Sequence, residues 1–411
     1  MCMAARSADR RPSAATIDIL RTLVAFPTVS RDSNLDLIHW VRDYLAGHGI
    51  ESVLSQGSDP GKANLFATIP GRNGGKGEGG IVLSGHSDVV PVEGQNWSSD
   101  PFVLEERDGK LFGRGTCDMK GFIAACLAKV PALAAAPLAE PVHLAISFDE
   151  EIGCKGVGHM LHDLVDRGVK PRGCVVGEPT SMDAVIGHKT GSAYGCAVTG
   201  LEMHSSLAPM GVNAIFYAAR VIGWIEAKAA QLRAEEQRHD GYSVPFSTLS
   251  VGVIEGGFAS NIVPALCRFR FDIRTLPWTD PDAIIAELEA WIARDLLPEM
   301  RAIAPDADIR IGMNGRVPGF AIDADAPLTR YVQRLAGSNA PPSFVAFGSE
   351  AGLFQAKGVP SVLCGPGSIE QAHKPDEYVS LEQLARCEDF LDRLATTPFA
   401  QAEALSIISG I

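Results

Sequence analysis

Ser84-Gly85-His86-Ser87-Asp88-Val89-Val90-Pro91 is the stretch whose reading decides the fold. The apolar run Gly80-Ile81-Val82-Leu83 leads straight into it, so a buried strand is predicted to end by presenting His86 and Asp88. In an open α/β sheet, ligands bind beyond the carboxyl ends of the strands. Residues two apart on a strand share a face. His86 can therefore ligate a metal, with Asp88 orienting it, or the two can form a hydrogen-bonded core pair. The rest of the chain has to decide between them.

Further strand ends carry acids. Val142–Phe148 (V-H-L-A-I-S-F) reads as a strand and runs into Asp149-Glu150-Glu151. Gly173–Gly177 is another strand, and it delivers Glu178. Between them, Leu111–Gly121 (L-F-G-R-G-T-C-D-M-K-G) places Asp118 where a helix opens near Met119 and runs to about Ala136. Asp118 is either the helix N-cap or a ligand. The vicinal carboxylates are either solvated or gathered around a cation that reverses their repulsion. Near the C-terminus, Gln371-Ala372-His373-Lys374-Pro375-Asp376-Glu377-Tyr378 puts His373 in a loop after the strand Val359–Cys364.

Strands and helices alternate on either side of a different texture. The outer segments predict a mainly parallel sheet with helices on both faces. Helices are expected at Thr16–Ala25, Leu35–Gly47, Gly156–Arg167, Ala326–Ala336 and Leu381–Leu394, and a strand at Asn64–Pro70. From about Gly191 the order becomes β-α-β-β-α-β. Its strands are Ser192–Gly200, Phe246–Val253, Cys267–Leu276 and Asp308–Met313, and its helices are Asn213–Gln231 and Pro281–Leu297. This predicts a ferredoxin-like α+β domain at 191–315, inserted between two parts, 1–190 and 316–411, of an α/β domain.

Composition narrows the class. The chain has 411 residues, a net charge of −13 and no basic patch, which argues against nucleic acid as a partner. No apolar run is long enough to span a membrane. Met1–Ala15 holds Arg6, Arg10 and Arg11 but no apolar core, so it reads as a loose tail and not a secretory signal. The nine cysteines have no C-x-x-C pair, which fits free thiols in a reducing, cytoplasmic setting. Cys117 alone falls inside the candidate site. The Gly71–Gly80 stretch is a glycine-rich loop; no G-K-[ST] follows it, so it is not a phosphate cradle.

Two histidines with several carboxylates form a ligand set suited to Zn²⁺, Co²⁺ or Mn²⁺. Five ligands with one shared carboxylate could hold two ions about 3.5 Å apart. A vicinal Glu-Glu pair could both ligate and leave one acid free to move protons.

S-G-H-S-D-V-V-P, G-R-G-T-C-D-M-K-G, F-D-E-E-I-G, V-G-E-P-T and Q-A-H-K-P-D-E-Y, in this order, resemble the M20 family of co-catalytic metallohydrolases over about residues 16–396. The resemblance implies a phosphorylase/hydrolase-like catalytic domain with an inserted lid used for homodimerisation. It implies two divalent ions, Zn²⁺ with Co²⁺ as a substitute. His86, Asp118 and Glu178 would hold one ion, and Asp118, Glu151 and His373 the other. Asp88 would orient His86, and Glu150 would be the general base and acid. A cis peptide is implied at Asp118–Met119.

In the insert, His204 would stabilise an oxyanion in the partner subunit's site. Asn261 and Arg274 would contact substrate, Arg274 through the substrate's α-carboxylate. Read alone, His204 is first a loop hydrogen-bonder, and Arg274 has a strand-surface charge as its second reading. Gly187–Thr190 (G-H-K-T) and Gly348–Gly352 (G-S-E-A-G) resemble the branch of the family that acts on N-acetyl-L-ornithine more than the desuccinylases. Glu350 would then attract the cationic side chain, or simply serve as a helix N-terminal acid. The expected reaction is hydrolysis of an N-acyl amino acid. The alternatives are a related deacylase or dipeptide hydrolase, or a non-catalytic dimeric binding protein on the same scaffold.

Overall fold

The structure is a computed structural model that describes residues 10–72 and 78–400. Most of the N-terminal tail and the centre of the Gly71–Gly80 loop lie outside the described residues. The chain divides into two compact units. One runs up to Gly187, through Phe320–Phe344 and on from Ser349; the other is His188–Gly319 with Val345–Gly348.

The first unit is built on a large sheet whose centre is parallel. Ile81–His86 pairs in parallel with Val142–Ser147 on one side and Gly173–Pro179 on the other, and Gly173–Pro179 pairs in parallel with Ser361–Gly365. Every residue of these strands is buried, because helices cover both faces. The register sets His86 beside Ser147, so neighbouring strands end at the same edge.

The sheet is mixed, not mainly parallel. Ala63–Ile69 is antiparallel to Val142–Ser147, and Ser52–Gln56 is antiparallel to Ala63–Ile69. Val185–His188 closes antiparallel on Ser361–Gly365. A short connection joins Ser52–Gln56 to Ala63–Ile69, and short connections favour antiparallel neighbours. Ser52–Gln56 (S-V-L-S-Q) is too polar to read as a strand.

The helix Lys120–Ala135 is buried along most of its length and packs against Ala14–Val24 and Leu381–Thr396. Its fit depends on glycines. A Cβ on Gly121 would lie 2.4 Å from the Thr116 carbonyl oxygen, and one on Gly177 would lie 2.1 Å from the Phe122 ring. These close approaches seat the helix start, with Asp118 before it, against the strand that carries Glu178.

The second unit is a four-stranded antiparallel sheet, ordered Thr248–Gly256, Leu266–Thr275, Thr190–Thr199 and Asp308–Val317. This is the split βαβ order. Cys267, Phe269, Phe271 and Ile273 alternate inward and form a core with Val221 and Ile225 from the helix Ala214–Glu235 and Leu288 from Pro281–Trp291. The intervening Arg268, Asp272 and Arg274 lie on the opposite face. Among the described residues, no helix is long and apolar enough to cross a membrane. The eight described cysteines are all free and buried.

Candidate metal centre

His86 ends its strand, and Asp88 follows one residue beyond the intervening Ser87. Asp118 sits in the turn before Lys120–Ala135. Met119, not Asp118, is the N-cap residue, and the Asp118 carboxylate faces His86 and His373. The Asp118–Met119 peptide is cis. Glu150 and Glu151 follow Asp149, whose φ is +55°. Glu178 lies near the end of Gly173–Pro179. His373 follows the short helical turn Ile369–Gln371, with φ +63°.

These positions converge. His86 Nε2 lies 3.0 Å from Asp118 Oδ1; His373 Nε2 lies 3.2 Å from Asp118 Oδ2 and 2.9 Å from Glu151 Oε2. Ligand atoms of His86, Asp118 and Glu178 fall within 4.8 Å of one another, and so do those of Asp118, Glu151 and His373. Asp118 belongs to both trios. Glu178 Oε1 is buried with no hydrogen-bond partner, an expensive arrangement unless a cation meets it. The donor set of imidazole and carboxylate fits two divalent ions.

The electrostatics agree. Burial pushes Glu150 up to about 8 and Glu151 to about 7, with neighbouring carboxylates adding to the rise. Glu178 is pushed well above the carboxylate range by burial and by Asp118. Burial opposes ionisation of Asp118, but hydrogen bonds from His373 and His86 hold it below the usual range. Acceptance by Asp118 and Glu151 raises His373 to about 10. Such a cluster of acids is costly to ionise together without a cation.

Asp88 does more than face His86. Its backbone carbonyl accepts from His86 Nδ1 at 2.9 Å, while its carboxylate oxygen is 3.6 Å from that nitrogen. The carboxylate instead accepts the backbone N–H of Glu150 at 3.1 Å and of Glu151 at 3.3 Å, and the Ser30 hydroxyl at 2.7 Å. Asp88 thereby orders both the His86 ring and the Glu-Glu turn. Glu150 Oε1 accepts from the Cys154 thiol at 3.3 Å and is not a member of either trio.

Glu350 also belongs to this unit. It is 1% exposed, Oε2 lies 3.4 Å from Ser84 Oγ, Oε1 has no partner, and burial raises it to about 7. Cys117 is buried, its thiol 3.3 Å from the Ser368 carbonyl, and burial raises its pKa well above the ordinary thiol value. That makes it a packed thiol, not a nucleophile.

His204, Asn261 and Arg274 lie in the second unit. His204 is exposed and caps the turn Ser205–Met210, its Nδ1 2.8 Å from Ser206 Oγ. Asn261 is exposed. Arg274 is half-buried, with Nε 2.8 Å from Asp272 Oδ1.

Residues outside the predicted set also serve the centre. Lys62 is buried and pairs with Asp149 and the Ser30 carbonyl, anchoring the turn that presents Glu150. Arg114 and Glu377 form a buried ion pair at 2.7 Å beside Asp118. Both sit inside motifs already quoted, but a motif does not say which of its residues is buried.

The fold and the paired trios define a metallo-amidohydrolase scaffold. The sequence model described as Peptidase family M20/M25/M40 matches residues 82–397. An acetylornithine deacetylase of Pasteurella multocida is 31% identical over 92% of this chain and 96% of its own. One of Myxococcus xanthus is 36% identical over 91% and 95%. Among solved structures, aminopeptidase PepT of Bacillus cereus matches with TM-score 0.72 and 20% identity, covering 92% of this chain and 97% of that one. A dinuclear metal binding peptidase of Bacillus subtilis matches with TM-score 0.63 and 17% identity, covering 92% and 96%. The chain belongs to peptidase family M20, and it is an enzyme rather than a binding protein on this scaffold.

Proposed function

We propose that this protein hydrolyses N-acetyl-L-ornithine to L-ornithine and acetate, a step of arginine biosynthesis. The observation that carries the substrate is the similarity, over nine-tenths of the chain, to relatives named acetylornithine deacetylase. The chemistry rests on the convergent trios.

His86, Asp118 and Glu178 would hold one ion, and Asp118, Glu151 and His373 the other. The resident metal is proposed to be Zn²⁺, with Co²⁺ able to substitute. When bound, such ions polarise the acyl carbonyl and make water acidic enough to attack near neutral pH. Glu150 takes the proton from the attacking water and gives it to the leaving amine; it adjoins Glu151 in the chain yet belongs to neither trio, which leaves its carboxylate free for proton transfer. His204 is the proposed oxyanion donor, presented to the partner subunit's site. Asn261 and Arg274 are proposed to hold the substrate, Arg274 by its α-carboxylate. Glu350 is proposed as the counter-charge for ornithine's side-chain ammonium. A buried carboxyl with an unpartnered oxygen is stabilised by a cation that reaches it.

A homodimer through the second unit is part of this proposal. The Thr248–Gly256 edge strand is largely exposed, with Ile254 at 54%, and Phe216 and Phe258 are 69% and 77% exposed. Unpaired edges and large exposed apolar side chains are what a self-associating surface offers. A cytoplasmic setting is proposed from the free thiols.

The test is turnover of N-acetyl-L-ornithine against N-succinyl-diaminopimelate and an N-acyl dipeptide, with metal analysis of the same samples. The highest kcat/KM on N-acetyl-L-ornithine is expected. Preference for either competitor would reassign the substrate and leave the chemistry standing.

A further inference from the structure

Asp118 and His373 come from distant parts of the chain, yet both belong to one trio. Their supports meet on one side chain. Glu377 is 1% exposed, and both of its oxygens are fully engaged. Oε1 accepts the backbone N–H of Cys117 at 2.9 Å and of Asp118 at 3.1 Å. Oε2 accepts the backbone N–H of Gly115 at 3.0 Å and Arg114 Nη1 at 2.7 Å.

Arg114 extends the grip. Its Nη2 donates to Gln95 Oε1 at 2.6 Å, and Gln95 Nε2 donates to the His373 carbonyl at 3.0 Å. Trp97 donates to the same Gln95 oxygen at 3.1 Å and stacks its ring 5.0 Å from the Arg114 guanidinium. The Ser98 N–H and hydroxyl both donate to Asp376 Oδ1 at 2.9 Å. The Asp118 turn and the His373 loop are therefore tied to each other through Glu377, Arg114 and Gln95. Only an ionised carboxylate accepts from four donors at once; an amide presents a donor edge to at least one of these N–H groups.

We propose that Glu377 is the positioning residue that sets the affinity of the Asp118–Glu151–His373 trio for its ion, by holding Asp118 and the His373 loop in one frame. Groups behind metal ligands typically change affinity by about 10- to 100-fold when altered. The inference rests on the two-ion reading above, and its test separates the two.

Metal-free protein is titrated with Zn²⁺ alone, in competition with a chromophoric chelator. Wild type is expected to bind two ions per chain; fewer would overturn the two-ion reading itself. Glu377→Gln is expected to weaken the second ion by about 10- to 100-fold. In a His373→Ala background, which has already lost that ion, Glu377→Gln is expected to weaken the remaining ion by a smaller factor than it weakens the second ion in the wild-type background, because Asp118 is shared by both trios and the His373 loop is not. Two ions bound by Glu377→Gln as tightly as by wild type, with only the melting temperature lowered, would reduce Glu377 to a structural carboxylate and overturn the proposal. An equal loss in both backgrounds would overturn it too. Should Glu377→Gln not fold, Gln95→Ala decides. It cuts the link to the His373 carbonyl at a half-buried position, and a severalfold loss at the second ion is expected; wild-type binding there would overturn the proposal.

Discussion

His86 Nε2 faces Asp118 Oδ1 at 3.0 Å, and both side chains are almost wholly buried. The other ring nitrogen, Nδ1, points at the Asp88 carbonyl, which can only accept. Nδ1 therefore carries a proton, and on a neutral ring the Nε2 lone pair would face a carboxylate. Two lone pairs so arranged require a cation, either a proton or a metal. Burial lowers the affinity of His86 for a proton, while the Asp118, Glu150 and Asp88 carboxylates raise it well above the histidine range. The same field attracts a divalent ion. A carbonyl on the far nitrogen is also the usual partner of a ligating histidine.

Metal removal follows directly. Treatment with EDTA is expected to abolish hydrolysis, and Zn²⁺ or Co²⁺ to restore it. Asp118→Asn, which weakens the carboxylate shared by both trios, should bring bound metal below two ions per chain by elemental analysis. Full activity in metal-free protein would reject the two-ion reading.

Glu150 separates chemistry from ligation. Glu150→Gln keeps the volume and the Asp88–backbone contact but removes the proposed base. We expect kcat to fall by about 10²- to 10⁴-fold, with metal content and KM little changed. Turnover near wild type would remove Glu150 from the mechanism.

His143 gives a pH dependence remote from the centre. It is buried in Val142–Ser147, with Nδ1 2.9 Å from Thr68 Oγ1 and Nε2 3.1 Å from the Gly79 carbonyl. Burial lowers its folded-state pKa. The unfolded chain then binds the extra proton first, so this contribution to stability is present above about pH 6.5 and is lost as pH falls through the folded pKa. Denaturant unfolding at several pH values should show a shallower slope in His143→Gln than in wild type below about pH 6.5. Equal slopes would refute the assignment.

Gly177→Ala tests how the Glu178 strand is seated. Its methyl group would meet the Phe122 ring, and overpacking of this kind costs about 1–3 kcal/mol. The melting temperature should drop, and Phe122→Leu in the same chain should recover part of the loss. An unchanged melting temperature would show that the helix moves aside freely.

Ile254→Asp and Phe258→Asp test self-association. A charge on the exposed edge strand, or on the apolar side chain just beyond it, should shift the sedimentation coefficient toward monomer without lowering the melting temperature of the isolated chain. A wild-type coefficient in both variants would move the interface elsewhere.

How much of this was legible without coordinates differs from element to element. The strands Ile81–His86, Val142–Ser147 and Gly173–Pro179 are built around the apolar stretches Ile81–Leu83, Leu144–Ile146 and Cys174–Val176, as buried parallel strands usually are. The Leu266–Thr275 alternation is equally plain, because one face of its sheet is packed and the other is not. Ser52–Gln56 carries no such pattern; its pairing to Ala63–Ile69 comes from a short connection and not from its own residues. The second compact unit takes in His188–Gly319 and Val345–Gly348, and Val185–His188 runs almost directly into Thr190–Thr199 with no break in composition to mark the crossing.

By itself the sequence determined the chemistry available: histidines and carboxylates placed at strand ends, an inserted α+β unit, and motifs that resemble M20. Residue type and period carry that information locally. Only the tertiary structure decided how those groups meet. It turned Asp118 away from capping its helix and between two histidines, gave Asp88 the backbone of the Glu-Glu turn to hold, and buried Glu377 where four donors converge. These are contacts between segments far apart in the chain. Their geometry is set by packing, as at Gly121 and Gly177, and not by any local preference.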